Sequence, residues 1–370
     1  MKRILEVNVD DKGYGGVFAF VMNVIKNISY DKIVLDVAAF EPFEKKGHKE
    51  EIRDYGGEVY ECLSDGNFVA KQWNICRMFF GLLKRNQYQA IHIHSDVAYK
   101  LLLYGMIGEL AGVEKIIVHS HSAGVEGRMR WLKSFLQKIS RPILSRKKYI
   151  KFACSCSAAQ WMYTDNVIDD VQIITNGIRL KDFRFDPAKR IEIRKELELN
   201  ETDKVVGTVA RFSFQKYPEK LLGNFSELLK INPDYKLLWV GEGPLADRIK
   251  DKAKEKGIAD RIIFYGVSDR VNDLYQAMDV FVMTSRFEGL GIVILEAQAA
   301  GLPCVCSDVI PSEVIVSDSY YAVSLQKDCR YWASIINGLP SIDRSANYDE
   351  CLIDKYDIKN TIKMLMDVYL

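Results

Sequence analysis

The sequence predicts an α/β protein made of two Rossmann-like, doubly wound domains that face a cleft. Its 370 residues are too many for one ordinary hydrophobic core and suit two domains. Short apolar strands alternate with helices along the chain, and the alternation starts again after a polar stretch at 178–203. Such βαβ alternation is typical of a parallel sheet that helices cover on both faces.

The predicted elements fall into two sets. In the first set, a strand over 2–9 leads through a glycine turn into a helix over 17–28, and further strands follow at 33–40, 90–94, 116–119, 152–155 and 172–175. The second set has strands at 204–210, 235–240, 261–265, 280–284 and 303–307, with helices at 218–231, 246–256, 271–276 and 292–300. We expect domains at 1–180 and 181–347, and a segment at 348–370 that packs back on the first domain.

The composition is that of a globular cytoplasmic protein, with 48% apolar and 27% charged residues. A net charge of +1 argues against a nucleic-acid-binding domain, which is usually strongly basic. No signal-peptide core follows Met1, and no apolar run has the roughly 18 residues that a membrane span needs. We therefore expect the chain to stay in the cytoplasm.

Two of the cysteine pairs have Cys-x-Cys spacing, Cys154 with Cys156 and Cys304 with Cys306. Zinc sites usually have two to four residues between paired cysteines, together with matched partner ligands, and this chain has neither. Residues i and i+2 of a strand share one face. We expect both pairs to lie on strands as small, buried apolar groups.

The segment from Thr284 to Pro303 has the features of a phosphate site. A predicted strand ends in the turn Gly289-Leu290-Gly291, and a helix begins directly after it. The free N–H groups at a helix start, and the positive end of its dipole, favour a bound phosphate. Glycines let a ligand approach the backbone closely.

Two carboxylates stand eight positions apart in this segment, Glu288 in the turn and Glu296 inside the helix. Carboxylates accept hydrogen bonds from paired hydroxyl groups, so a polyol at each end of a diphosphate would satisfy both. The alternative places Glu296 on a solvated helix face. That alternative fits poorly because the helix is almost wholly apolar, and a buried carboxylate needs a partner.

Two cations, Arg211 and Lys216, follow the first strand of the second domain. Cations beside a helix start would neutralise a diphosphate leaving group, which is the main electrostatic task when no metal takes part. A solvated basic loop is the alternative interpretation. The position at the carboxyl end of a strand, where ligands of open α/β sheets bind, favours the functional one.

The segment from Glu288 to Glu296 resembles the Glu-x7-Glu signature of glycosyltransferase family 4, the retaining GT-B enzymes. The sequence Glu-Ala-Gln-Ala-Ala-Gly-Leu-Pro-Cys from Glu296, followed by Ser307-Asp308-Val309-Ile310 and Glu313, is most similar to the capsular and exopolysaccharide branch. The similarity extends from Gly15-Gly16 to about Trp332. Two positions depart from the family pattern: Arg179 replaces the usual acid after Asn176-Gly177-Ile178, and Tyr217 replaces a common glycine after Lys216.

The resemblance implies transfer of a hexose or N-acetylhexosamine, with retention, from a nucleotide sugar to a glycan or lipid-linked acceptor. A UDP-sugar is the default donor, and no metal or other cofactor is expected. The absence of an Asp-x-Asp motif from the chain agrees with metal independence. In the family the residues that match Arg211 and Lys216 contact the donor diphosphate. Glu288 would then position the sugar and Glu296 would hold the ribose.

In the first domain, the resemblance points to Gly15 and Gly16, which border the donor phosphate and the acceptor in the family. Four of the five histidines cluster in the sequence, as His92, His94, His119 and His121. In the family a histidine after the strand reaches the donor sugar. His121 is the first candidate and His119 the second, whereas a structural role is expected for His92 and His94. Metal binding has no carboxylate or cysteine spacing to support it.

The run from Gly241 to Ala246 matches the Gly-x-Gly-x-x-Ala pattern of dinucleotide folds. That interpretation requires an acidic residue at the end of the next strand. The next predicted strand instead ends in Gly266-Val267-Ser268. We therefore expect Gly241 to line the nucleotide base pocket, as the resemblance implies.

The segment 126–151 contains nine Lys or Arg residues and a single acid. Trp131, Phe135 and Ile139 recur at helical spacing within it. A basic amphipathic helix with an aromatic residue is typical of peripheral contact with an anionic membrane. The alternative is an ordinary helix with its apolar face in the core and its basic face in water, and the sequence leaves both open.

Two other functions share this fold and remain open: a nucleotide-sugar epimerase or phosphorylase, and a non-catalytic nucleotide-sugar-binding partner of a polysaccharide assembly. A phosphorylase would need a cofactor-lysine motif that the chain lacks. The complete set of charged residues argues against a non-catalytic protein.

Overall fold

A computed structural model describes residues 2–11, 15–29, 31–127, 129–346 and 353–370. The chain divides into two compact units. Unit 1 comprises 1–177 together with 358–370, and unit 2 comprises 178–357. The expected domain borders were 180 and 347, and residue 348, where the returning segment was expected to begin, lies outside the described residues.

Unit 1 contains a seven-stranded parallel sheet in the order β3-β2-β1-β4-β5-β6-β7. Its strands are β1 Lys2–Val7, β2 Ile33–Ala39, β3 Val59–Glu61, β4 Ala90–Ser95, β5 Lys115–Ser120, β6 Ile150–Ala153 and β7 Gln172–Ile173. Its helices are α1 Gly16–Asn27, α2 Lys46–Asp54, α3 Phe68–Arg85, α4 Ala98–Ala111, α5 Arg130–Arg146, α6 Cys156–Met162 and, at the end of the chain, α13 Ile358–Tyr369.

Unit 2 contains a six-stranded parallel sheet in the order β10-β9-β8-β11-β12-β13. Its strands are β8 Lys204–Val209, β9 Tyr235–Val240, β10 Ile262–Gly266, β11 Val280–Met283, β12 Cys304–Ser307 and β13 Tyr320–Val323. Its helices are α7 Pro187–Glu196, α8 Pro218–Ile231, α9 Ala246–Glu255, α10 Val271–Ala277, α11 Ile292–Ala299 and α12 Cys329–Asn337.

Both sheets confirm the predicted pair of Rossmann-like domains. In each sheet the strand order reverses once, between β1 and β4 in unit 1 and between β8 and β11 in unit 2. Loops leave the carboxyl ends of the strands on either side of this reversal in opposite directions. Open α/β sheets bind their ligands at that point.

The strands that the sequence analysis missed are β3 and β13, which are short and lie at sheet edges. The expectation for the cysteines is half wrong. Cys304 and Cys306 lie buried on β12, but Cys154 follows β6 and Cys156 begins α6, because the capping serine Ser155 turns the chain into a helix there. No described helix is both long enough and apolar enough to cross a membrane.

Candidate active site

The predicted donor residues of unit 2 lie at the carboxyl ends of three neighbouring strands. Arg211 and Lys216 follow β8, Gly241 follows β9, and Glu288 follows β11. Strands β8 and β11 pair in parallel, with Val206 opposite Val280. Because parallel strands end at one edge of the sheet, the topology places these loops around the point of strand-order reversal.

Hydrogen bonds to backbone carbonyl oxygens connect the loop after β8 to the loop after β11. The N–H of Arg286 donates to the carbonyl oxygen of Gln215 at 2.7 Å. The hydroxyl of Thr284 lies 3.1 Å from each of the carbonyl oxygens of Lys216 and Tyr217. The two loops therefore form one structure, and the position of Lys216 depends on the end of β11.

The side chains of Lys216 and Glu288 meet in this structure. Lys216 Nζ lies 2.6 Å from Glu288 Oε1, and Gln215 Nε2 donates to Glu288 Oε2 at 3.3 Å. Glu288 is buried and only 5% exposed. A buried carboxylate needs such a partner, and the pair places a cation beside a hydrogen-bond acceptor, a combination that is chemically suited to a ligand with both phosphate and hydroxyl groups.

Arg286 is a third cation at this point, and the sequence analysis did not single it out. Its guanidinium carbon lies 3.4 Å from the ring centroid of Tyr217 and 4.5 Å from that of Phe214. No described residue accepts a hydrogen bond from its buried Nε. The guanidinium thus lies close to two aromatic rings, and its Nε has no hydrogen-bond acceptor among the described residues.

Tyr217 departs from the glycine that is common at this position, and its backbone shows why glycine suits it. Tyr217 has φ 50° and ψ 58°, in the left-handed region, at the residue before α8. This conformation is unfavourable for a side chain with a Cβ. Here the side chain supplies a ring for Arg286, which a glycine could not do.

The glycine turn after β11 ends in the helix that the sequence predicts. Gly291 precedes α11 with φ 91°, and a Cβ there would lie 3.1 Å from Ile294 Cδ1. Both the backbone angle and this contact favour glycine. Gly289 and Leu290 are buried in the turn. The helix start therefore has the local geometry expected of a phosphate site, although contact with a ligand remains a prediction.

Glu296 lies inside α11 and bonds to a tyrosine that the sequence analysis missed. The hydroxyl of Tyr275, on α10, donates to Glu296 Oε2 at 2.9 Å and lies 3.0 Å from the carbonyl oxygen of Val293. Burial raises the pKa of Glu296 to about 7, against a smaller opposite effect of the Tyr275 hydrogen bond. Ionised Glu296 therefore carries an incompletely compensated charge, which hydroxyl donors would stabilise.

Arg211 and Gly241 lie beside each other at the ends of β8 and β9. Arg211 is exposed, and its side chain makes no ion pair within the described part of the chain. A Cβ on Gly241 would lie 2.4 Å from the carbonyl oxygen of Ala210, and one on Gly243 would lie 2.7 Å from that of Phe212. Close packing of the two loops therefore accounts for these glycines, and a role of Gly241 at a nucleotide base stays a prediction.

In unit 1 the predicted glycines follow β1, beside the strand-order reversal. Gly15 and Gly16 are exposed, and a Cβ at either position would meet no atom of the described residues within 4 Å. Gly15 has φ −63° and ψ 156°, which any residue adopts. Within the described part of the chain, neither packing nor backbone strain requires glycine at these positions.

The four clustered histidines lie on or directly after β4 and β5, with His92, His94 and His119 fully buried. A carboxylate that the sequence spacing does not reveal accompanies them, because Glu6 on β1 lies 2.6 Å from His94 Nε2. One ring nitrogen from each of His92, His94 and His119 lies within 4.8 Å of the others. These rings are nevertheless engaged in hydrogen bonds, with His92 Nε2 3.1 Å from His119 Nδ1.

Residues 189–328 match the family model described as glycosyl transferases group 1. The matched segment contains every predicted donor residue of unit 2. The class of protein that this match and the two Rossmann-like units support is a glycosyltransferase.

Particular proteins show the same relationship over most of the chain. The chain is 26% identical to the Bacillus subtilis protein named "Putative glycosyltransferase EpsF", covering 100% of this chain and 96% of that relative. It is 26% identical to the UDP-Gal:alpha-D-GlcNAc-diphosphoundecaprenol alpha-1,3-galactosyltransferase of Escherichia coli, over 79% of this chain and 77% of that one. The solved structure of Anabaena HepE with UDP and glucose has a TM-score of 0.79 at 16% identity, with 99% of both chains covered, and shows the likeness of fold.

The raised pKa of Glu296 predicts a pH-dependent stability. Its carboxyl stays protonated up to about pH 7 in the folded protein but ionises near its ordinary value of 4.5 when unfolded. The stability it contributes is therefore complete below the unfolded pKa and is lost as the pH rises towards the folded one. We expect the melting temperature of Glu296→Gln, which cannot ionise, to fall less than that of the wild type between about pH 5 and about pH 8. Parallel melting curves for both proteins would contradict this.

Proposed function

We propose that this protein transfers a hexose or N-acetylhexosamine from a UDP-sugar to a glycan or lipid-linked glycan acceptor, with retention and without a metal, in capsule or exopolysaccharide synthesis. The observation that carries the proposal is the Lys216–Glu288 pair at the strand-order reversal of unit 2, 2.6 Å apart and directly before a glycine-initiated helix. A nucleotide sugar offers a diphosphate for the cation and the helix start, and hydroxyls for the carboxylates.

In this proposal the charged groups act on the bond between sugar and diphosphate. Lys216, Arg211 and the amides at the start of α11 stabilise the negative charge that develops on the departing diphosphate. Glu288 accepts hydrogen bonds from the sugar and Glu296 from the ribose. The protein's own cations would thus supply the charge stabilisation that a metal supplies in other transferases.

The choice of donor and acceptor follows from the relatives. The E. coli relative is named for a UDP-Gal donor and a diphosphoundecaprenol acceptor. The HepE structure contains UDP and glucose. Together with the sequence resemblance to the capsular and exopolysaccharide branch, these names favour a UDP-sugar donor and a lipid-linked acceptor.

Loss of Arg211 tests the proposed electrostatic role with little risk to the fold. Because Arg211 is exposed and makes no ion pair among the described residues, Arg211→Ala should keep the wild-type melting temperature. Removal of one donor to the developing charge should lower the rate of UDP release in the presence of acceptor by about 100-fold. The matched control is Arg330→Ala on α12, whose side chain is 83% exposed, and it should transfer at the wild-type rate.

The same assay, run with EDTA and with product analysis, separates the alternatives. Transfer that persists in EDTA supports metal independence, and loss that Mg²⁺ restores would contradict it. Binding of UDP-sugars without turnover would indicate a non-catalytic partner. Release of UDP or of an altered sugar without acceptor would indicate an epimerase.

The unconstrained glycines of unit 1 give a second test. Gly16→Ala puts a better helix former at the first residue of α1, where a Cβ has open space, so stability should be unchanged or higher by up to about 1 kcal/mol. If a ligand approaches this backbone, the added methyl group should raise KM for donor or acceptor at least about tenfold. Wild-type kinetics in both Gly15→Ala and Gly16→Ala would contradict a role in binding.

We also propose that α5, the helix of segment 126–151, rests on an anionic membrane. Trp131, Phe135 and Ile139 are 70%, 56% and 48% exposed, and Ile143 continues the stripe. The interpretation that places this apolar face in the core is therefore wrong. Exposed Arg130, Lys138 and Arg146 lie on the same helix, whereas Arg128 lies outside the described residues. Apolar side chains flanked by cations are suited to anionic headgroups.

Hydrogen bonds on the opposite face of α5 fix the rotation of this helix about its own axis. Buried Gln137 accepts from the N–H of Ala98 at 2.5 Å and donates to the carbonyl oxygen of Trp161 at 2.9 Å. Ser145 accepts from the N–H of Thr164 at 3.0 Å. Turning the apolar stripe inward would break these bonds, so its exposure is built into the packing of unit 1.

Vesicle sedimentation tests the membrane contact. The wild type should sediment with phosphatidylglycerol vesicles and much less with phosphatidylcholine vesicles, because cations near an anionic surface contribute about 1 kcal/mol each. Trp131→Ser with Phe135→Ser, and separately Lys138→Glu with Arg146→Glu, should abolish sedimentation. Ile191→Ser removes an apolar residue that is 71% exposed on α7 and should have no effect. Unchanged sedimentation of the α5 variants would refute the proposal.

A further inference from the structure

One face of the unit 1 sheet carries a buried carboxylate beside a row of imidazoles. Glu6 on β1 lies opposite His92 on β4, and His94 on β4 lies opposite His119 on β5. His121 follows β5 directly. The ring of Phe20, on α1, packs within 6.3 Å of all four imidazole centroids. The cluster therefore lies in a largely apolar enclosure, where the position of each proton strongly affects the energy of the hydrogen-bond network.

Two chains of hydrogen bonds start at Glu6. In the first, His94 Nε2 lies 2.6 Å from Glu6 Oε2, and His94 Nδ1 lies 2.9 Å from His121 Nε2. In the second, Tyr369 of α13 donates to Glu6 Oε1 at 2.8 Å and lies 2.6 Å from His92 Nδ1. We call the first chain, Glu6–His94–His121, the relay.

The charges of the relay are set by its surroundings. Burial alone raises the pKa of Glu6, but His92 and His94 outweigh it and hold that pKa well below its usual value. Burial and His92 lower the pKa of His94 to about 4. Burial and His94 likewise lower the pKa of His121. At neutral pH the relay therefore consists of one carboxylate and two neutral imidazoles.

With these charges, the ring protons of His94 and His121 can be arranged in only one way. An ionised carboxylate only accepts, so His94 carries its proton on Nε2 and directs it at Glu6. The bare Nδ1 of neutral His94 then accepts from His121, which must carry its proton on Nε2. His121 is left with a lone pair on Nδ1. That atom is buried, and no described residue donates to it.

We propose that Glu6 is a positioning residue that acts through His94 to fix the tautomer of His121, so that His121 Nδ1 accepts a hydrogen bond from a hydroxyl group of the substrate. The inference rests on the proposed function and on the sequence resemblance, which makes His121 the first candidate for a contact with the donor sugar. A buried acceptor without a donor is unfavourable, and a sugar hydroxyl supplies the missing proton. Because Nδ1 is enclosed, the hydroxyl must displace the atoms that surround it.

The same geometry favours a chain of hydrogen bonds rather than a metal centre. Each histidine nitrogen that faces another imidazole, Tyr369 or Glu6 does so at a distance that accommodates one shared hydrogen, from 2.6 to 3.2 Å. A bound cation would have to replace several of these hydrogen bonds. The carboxylate instead determines the direction in which every proton of the relay points.

The tautomer is measurable in the protein without substrate, by long-range ¹H–¹⁵N correlation spectra of histidine-labelled protein. We expect wild-type His121 to be neutral and protonated at Nε2 alone. Glu6→Gln offers His94 either an oxygen or an NH₂ group, so the relay can run in both directions and His121 should show a second population protonated at Nδ1. Tyr369→Phe is the matched control, because it removes a donor from Glu6 outside the relay and should leave the His121 tautomer unchanged.

Transfer kinetics complete the test. Glu6→Gln should lower kcat/KM for the donor by about tenfold, the size of one hydrogen bond, with a smaller change in melting temperature than a disrupted core would give. An unchanged His121 tautomer in Glu6→Gln, or a changed tautomer with wild-type kcat/KM, would overturn the proposal. If the wild type transfers no sugar while its spectra agree with the relay, the proposed function fails and the positioning role of Glu6 towards His121 stands.

Discussion

The contact between Lys216 and Glu288 is the constraint on which the unit 2 site depends. Both groups are largely withdrawn from water, and separating such a pair leaves a buried charge that costs several kcal/mol, on the order of 3–5. The contact forms only if the loops after β8 and β11 leave adjacent strands. The hydrogen bonds from Thr284 and Arg286 then hold the loops in register. The electrostatics of the site therefore depend on the conformation of the two loops, and the loop conformation depends on the strand order.

The two units use the same topological position with different electrostatics. In unit 2, formal charges of Lys216, Arg211 and Arg286 gather where the strand order reverses, which suits a ligand that carries charge of its own. In unit 1, the reversal lies beside the relay, in which Glu6 directs the neutral imidazoles of His94 and His121. Such a network directs hydrogen bonds without attracting ions. The contrast is consistent with the proposed reaction, in which the donor carries a charged diphosphate and the sugar carries neutral hydroxyl groups.

Much of the secondary structure around the candidate site can be predicted from the sequence, because it depends on local patterns. The bounds of α8 and β9 and the start of α11 follow from apolar periodicity and from the glycine before the helix. The relay could not be predicted, because it joins residues 6, 94 and 121 through the register of three strands. Nor could the contact between Arg286 and the ring of Tyr217, a residue whose left-handed backbone conformation is uncommon for a side chain with a Cβ. Periodicity located the apolar stripe of α5, but only the hydrogen bonds of Gln137 decide which side faces outward.

The return of α13 to unit 1 has a consequence for how the chain folds during synthesis. Leu365 and Tyr369 are part of the unit 1 core, although they follow all of unit 2 in the sequence. A ribosome that makes the chain from its amino end must therefore deliver the whole of unit 2 before the core of unit 1 can close. Unit 2 can therefore fold while the apolar side chains of unit 1 that pack against α13 are still uncovered, and during that time a chaperone could bind them.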